Sequence, residues 1–373
     1  MSSQGLFDEV LARGGVRDAV SDHAWLRALL DAEAGLAWAQ TAVGVISPDA
    51  ARAVVEACQP DRFDVAELGK AAAESGNPVV ALVARLRELT PDVHKGATSQ
   101  DILDTAGMLV ADRALGPLLA DLTGAADAAA GLARAHRDTP MVGRTLLQQA
   151  APITFGFTAA RWLSALQAAI EALTVIRETR LAVQLGGPAG TLGPLDLVEA
   201  YAATLGLVAP SLPWHTDRTR IGELAGALGI AAGTVGKIAR DVTLLSQNEV
   251  GEVAEAAPGG SSSMPHKRNP VAAVSALACA AQAPGLVATL LAAMVQEHER
   301  AAGAWQSESR ALRELLVAVG SAAAWLHACL AGLTVDREAM ASNLARLAEV
   351  SKIDDPGVAP LLVDRALAAW EVR

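Results

Sequence analysis

The chain has 373 residues, too many for one small core and enough for two or three domains. Hydrophobic residues make up 52% of it but aromatics only 3%, so its apolar mass is mostly Ala, Leu and Val; this excludes a strand-rich class and points to an all-α chain. With 30 Lys+Arg against 41 Asp+Glu the formal charge is −11, which excludes nucleic acid as the main partner while leaving room for a local basic pocket.

In chain order, Leu26, Leu29, Leu30, Leu36 and Val43 share one helical face. Ser47-Pro48 reads as an N-cap and first-turn proline, and Pro60 and Gly76-Asn77-Pro78 interrupt the helical text again. Residues 90–100 form a polar, turn-rich loop. Beyond it, runs near 103–137, 147–185, 217–257 and 268–300 are almost free of breakers and predict long helices in an elongated central bundle. Wide alanine faces on such helices call for partners, so a homo-oligomer is expected. Val335 to Arg373 has room for two short helices. The expected division is an N-terminal helical domain (1–101), the bundle (102–332) and a short C-terminal helical segment (333–373).

No run of about eighteen uninterrupted apolar residues is seen, so no membrane span is expected. The first residues do not read as a secretory signal, and Cys58, Cys279 and Cys329 lie far apart without metal-ligand spacing. The expectation is a cytoplasmic protein with buried thiols.

Three polar islands break the helical grammar. The first, Gly259-Gly260-Ser261-Ser262-Ser263-Met264-Pro265-His266-Lys267-Arg268-Asn269-Pro270, combines flexible backbone, hydroxyls and positive charge before a helix start, a setting suited to a carboxylate or phosphate. On composition alone a solvated linker is as good a reading. The second runs from His94 to Asp101; Thr98, Ser99 or Asp101 can equally serve as a helix cap. In the third, Val142 to Pro152, Arg144, Thr145 and Gln148 can share one helix face, although an ordinary helix start after Pro140 explains the text as well.

Taken in order, GATSQD, GRTLLQ and GSSSMPHKRNP, with long helices between them, resemble the fumarase/aspartase superfamily over almost the whole chain. The resemblance implies a homotetramer around a shared helical core, with each active site built from the three islands on three different subunits, and no metal or organic cofactor. It implies Ser261 as the residue that moves a proton at carbon, with Lys267 and Asn269 holding a carboxylate. Thr98, Ser99 and Gln100 match substrate-binding positions, and His94, Arg144, Thr145, Gln148 and Arg218 are candidates for the remaining substrate contacts. Lys95 is a further candidate for a carboxylate, and each of these cations is otherwise a surface charge or an intersubunit ion pair.

One departure selects a branch. Where fumarases and adenylosuccinate lyases carry a histidine that assists the leaving group, this chain has Leu146. Hydroxide and amines are strongly basic and need protonation to leave; a carboxylate, with an acid pKa of about 4, does not. Leu6 to Gly14, Leu30 to Glu33, Gly44 to Ile46 and Gly76 to Val79 also resemble the 3-carboxy-cis,cis-muconate cycloisomerase branch, in which a carboxylate adds within a small tricarboxylate substrate. The rivals are an adenylosuccinate-lyase-type enzyme, against which Leu146 stands, and a non-catalytic relative, against which the intact Ser261, Lys267 and Asn269 stand. His23, His136, His298 and His327 read as surface or packing residues.

Overall fold

A computed structural model describes residues 5–192, 194–349 and 355–372. The N-terminal part carries helices α1 (Asp8–Leu11), α2 (Gly15–Ala19), α3 (Asp22–Ala42), α4 (Pro48–Ala57), α5 (Val65–Ser75) and α6 (Val79–Leu89). Ser21 and Ser47 cap α3 and α4 by accepting from Ala24 and Ala50 N–H, as the Ser-Pro signal implied for α4.

The long helices follow: α7 (Ser99–Ala135), α8 (Phe155–Thr179), α10 (Thr219–Leu245), the pair α11 (Val271–Ala280) and α12 (Ala283–Ala292), and α13 (Ala304–Ala331). The short α9 (Asp196–Leu205) lies between α8 and α10, and α14 (Arg337–Ala348) and α15 (Ala359–Glu371) close the chain. The fold is therefore all-α, and the two short C-terminal helices are present.

Cross-contacts give the helix directions. Arg177 of α8 meets Asp112 of α7 while Phe155 meets His136, so these two run antiparallel. Trp162 donates to Asp241 and Arg180 pairs with Glu223, which sets α10 antiparallel to α8. Trp305 donates to Asp104 and His327 pairs with Asp121, so α13 runs parallel to α7. Facing α10, α11 and α12 return in the opposite sense: Cβ atoms added at Gly222, Gly229 and Gly236 would meet Met294, Val287 and Ala280. Those glycines recur every seven residues on one face, where they let the backbones approach.

Three stretches depart from the long helices expected of them. Residues 147–154 are not helical: β1 (Pro140–Thr145) and β2 (Gln148–Thr154) form an antiparallel hairpin, with a bulge between Val142 and Arg144. The run 217–257 leaves its helix after Leu245, and β3 (Val253–Glu255) pairs with β4 (Leu333–Val335). The run 268–300 breaks into α11 and α12, and the long α13 lies beyond the runs picked out from composition.

By length and composition alone, Thr219–Leu245, Val271–Ala292 and Ala304–Ala331 are apolar enough to cross a membrane. In 219–245 and 304–331, 56% and 67% of the most apolar window is buried in the bundle, against 33% for 271–292. The outward side of that last segment presents Val271, Val274 and Leu291, with Ile230 exposed on neighbouring α10. An apolar face of this kind calls for cover.

Candidate functional site

The second island begins α7. Thr98 N–H donates to Asp101 Oδ2 at 2.9 Å, so the segment is a helix cap as its composition allowed. Asp101 is fully buried and also receives Gly186 and Gly187 N–H at 3.0 and 2.9 Å, with His215 Nε2 at 2.7 Å. Gln100 turns inward as well. Its amide donates to Asp104 and to the His215 carbonyl, so it serves the scaffold within this chain and faces no open site. Thr98 and Ser99 are half-buried at the helix mouth, and His94 precedes them in a left-handed conformation with φ +58°.

Arg218, read from sequence as a carboxylate ligand, lies instead at the centre of a buried ion-pair cluster. It is 2% exposed and spends its five N–H donors on Asp104, Glu308 and the Trp214 carbonyl. No donor is left for a substrate. Burial alone would lower the guanidinium's pKa, but the two carboxylates hold it above its ordinary value. Burial also raises the Glu308 carboxyl, a shift opposed by Arg218.

The third island is the β1–β2 hairpin. Arg144 makes a two-pronged contact, 2.8 Å on each arm, to Glu252, whose side chain is fully buried and also receives Asn343 Nδ2. Within the chain Arg144 therefore ties the hairpin to the segment before β3 and to α14. Thr145 and Gln148 are exposed and face each other across the turn, adjacent for a different reason from the helical spacing expected. Leu146 and Leu147 form that turn, with φ of +50° and +64° and exposures of 96% and 73%. Such two-residue turns favour Asn or Gly, and leucine in left-handed backbone costs roughly 1–2 kcal/mol per residue. Leu146 is thus exposed to solvent within its own chain.

The first island is a loop closed by backbone: Gly259 and Asn269 exchange N–H···O bonds of 2.8 Å in both directions, and Asn269 Nδ2 donates to the Gly260 carbonyl at 2.9 Å. Asn269 thus spends one amide hydrogen on the loop itself. Ser261 Oγ accepts from Met264 N–H at 3.1 Å and Ser263 N–H at 3.4 Å, leaving its own hydrogen to give away. Two N–H donors on one hydroxyl stabilise negative charge there as the proton leaves. Lys267 is exposed, and no ion pair of it is formed among the described residues. The helix start expected to take an anion is already occupied by the chain: Glu255 accepts from Ala272 and Ala273 N–H at 3.1 and 2.8 Å.

Within one chain the second island does not meet the other two. The second opens α7 and the third follows its far end; 37 residues at about 1.5 Å each separate them by roughly 55 Å. The first lies beyond the C-terminal end of α10, on the hairpin's side of the bundle. A cavity of 510 Å³ between α5 and α6 and one of 370 Å³ beneath the hairpin contain neither Ser261 nor Lys267. Among the described residues no group of three or more His, Cys, Asp or Glu is arranged to hold a metal ion. Glu33, Asp104, Glu252 and Glu308 carry no local signal of a role: each lies in ordinary helical or loop text, and only its distant partners single it out.

Known proteins agree with this architecture. The lyase family model matches residues 17–285. A 3-carboxy-cis,cis-muconate cycloisomerase of Bradyrhizobium diazoefficiens is 46% identical over 91% of this chain and 79% of its own. A nitrosuccinate lyase of Streptomyces davaonensis is 45% identical over 91% and 77%. Among solved structures, the 3-carboxy-cis,cis-muconate lactonizing enzyme of Pseudomonas putida superposes with a TM-score of 0.86 at 37% identity, covering 99% of this chain and 89% of that one. With its three islands on the ends of long antiparallel helices, the chain belongs to the lyase family of the fumarase/aspartase superfamily.

Proposed function

We propose that the protein is a 3-carboxy-cis,cis-muconate cycloisomerase, active as a homotetramer whose sites are each assembled from three copies. The observation that carries the chemistry is Leu146 at the tip of the third island, where a proton donor would be needed to expel hydroxide or an amine. In the proposed reaction a substrate carboxylate oxygen bonds to the diene. The displaced electron pair collects beside a second carboxylate as an aci-carboxylate, and Ser261 delivers its proton to that carbon. The resulting alkoxide is held by Ser263 and Met264 N–H until solvent restores its hydrogen. Lys267, Thr98 and Ser99 supply charge and hydrogen bonds for the carboxylates, and Asn269 contributes the amide hydrogen that the loop leaves over.

The assembly rests on the 55 Å gap (about 1.5 Å per residue of α7) and on the uncovered apolar side of α11 and α12, which a second copy would cover. An assembled enzyme of this kind is a soluble protein of the cytoplasm with a small tricarboxylate as its ligand.

A second reading has a specific observation in its favour. The nitrosuccinate lyase is as similar to this chain as the cycloisomerase. Leu146 permits that chemistry too, because nitrite is a weak base and leaves without an acid's help. Loss of ultraviolet absorbance of 3-carboxymuconate, run beside fumarate formation from nitrosuccinate, separates the two. Cycloisomerisation faster by at least about tenfold in kcat/KM supports the first reading, and the reverse order replaces it with the second.

A further inference from the structure

Two side chains of α3 reach the second island from beneath. Gln40, 1% exposed, donates from Nε2 to the Lys95 carbonyl at 2.6 Å. Glu33, also 1% exposed, meets His94 Nδ1 through Oε1 at 2.6 Å. Seven residues apart, they lie two turns from each other on one helix face. The segment they clamp passes through left-handed backbone at His94 (φ +58°), uncommon for a residue with a side chain, and at Gly96 (φ +77°), where glycine adopts it freely.

The carboxylate is held at a cost. Glu33 Oε2 is buried without a hydrogen-bond partner among the described residues, so the group is kept from water for the sake of one contact. A leucine would fill the same space without that penalty. The histidine at the other end makes no hydrogen bond through Nε2 among the described residues. A buried carboxylate on one ring nitrogen, with the other left unused, is how an imidazole is held in a single orientation and tautomer.

We propose that Glu33 is a positioning residue of the composite site: it takes the Nδ1–H of His94 and so offers Nε2 to the substrate from the loop that carries Thr98 and Ser99. The proposal deepens the site reading above and rests on it. Glu33 touches no substrate, and its whole effect passes through His94. Gln40 fixes the backbone on which that ring stands.

The test compares the assembled wild type with Glu33→Leu and Glu33→Gln, using histidine-selective ¹⁵N spectra without substrate, then kcat and KM on 3-carboxymuconate. In the wild type, His94 carries its hydrogen on Nδ1; in Glu33→Leu it moves to Nε2. The kcat/KM of Glu33→Leu falls about tenfold or more per folded tetramer. The amide of Glu33→Gln can accept from the ring or donate to it, so that variant shows both tautomers and an intermediate loss. An unchanged His94 spectrum in Glu33→Leu, or turnover within about twofold of wild type, overturns the proposal. Should Glu33→Leu not assemble, the same two criteria apply to Glu33→Gln. A wild type inactive on 3-carboxymuconate sinks the function proposed above, while the substrate-free spectra still decide the part played by Glu33.

Discussion

The two ends of α10 treat charge in opposite ways. At its start, Arg218 is buried and every donor is satisfied within the chain, by Asp104, Glu308 and the Trp214 carbonyl. Beyond its other end, the 259–270 loop closes on itself through the Gly259–Asn269 backbone pair but leaves Lys267 in solvent and the Ser261 hydrogen free. A buried network that is complete in one chain is scaffold. An exposed set that is closed in shape but open in chemistry waits for groups that its own chain places elsewhere.

Breaking the buried end should have the largest effect. Arg218→Leu leaves two carboxylates buried without their cation, a cost of about 3–5 kcal/mol. Thermal unfolding should show a midpoint lowered by several degrees or more; an unchanged midpoint would mean that the cluster is not structural. At the open end, Ser261→Ala should lower kcat by at least about 10²-fold, equivalent to about 2.7 kcal/mol, with melting and assembly unaltered. Ser262→Ala is the control, and a dead Ser262→Ala beside an active Ser261→Ala would assign the proton to the wrong serine.

A smaller effect is expected at the hairpin tip. Leu146 is exposed and left-handed, a conformation that histidine tolerates better than leucine, so Leu146→His should change monomer-level stability by only about 0.5 kcal/mol. It should not speed cycloisomerisation, and the wild type should not release fumarate from adenylosuccinate or argininosuccinate. Measurable wild-type turnover of either substrate would mean that another residue protonates the departing amine. The smallest effect concerns the thiols. Burial pushes Cys58 up to about 12 and Cys279 to about 11, and raises Cys329 as well. All three are buried, so a thiol reagent at pH 8 should label them slowly in the native protein and all three on unfolding. Rapid labelling of the native chain would show that one of these pockets opens.

The sequence carried the two regions unequally. The loop was legible because its glycines, serines and Lys267 stand together in one polar stretch, and the long helices because alanine and leucine leave few alternatives. The hairpin was not. Arg144, Thr145 and Gln148 satisfy helical spacing, and only the pairing of 140–145 with 148–154, forced through a Leu-Leu turn of poor local propensity, shows a strand. Arg218 was misread because its partners, Asp104 and Glu308, are 114 and 90 residues away and no local pattern links them. Ion pairs that long in sequence become visible only when helices pack.

If one site draws on several copies of the chain, mixing of subunits must restore it. Ser261→Ala and the double variant Thr98→Val/Ser99→Ala should each be inactive on 3-carboxymuconate as pure assemblies. Dissociated, mixed and reassembled, they should regain a substantial fraction of wild-type turnover, because some sites then take an intact first island from one copy and an intact second island from another. A mixture that stays as inactive as its parents, or a wild-type monomer with full activity, would contradict the shared site.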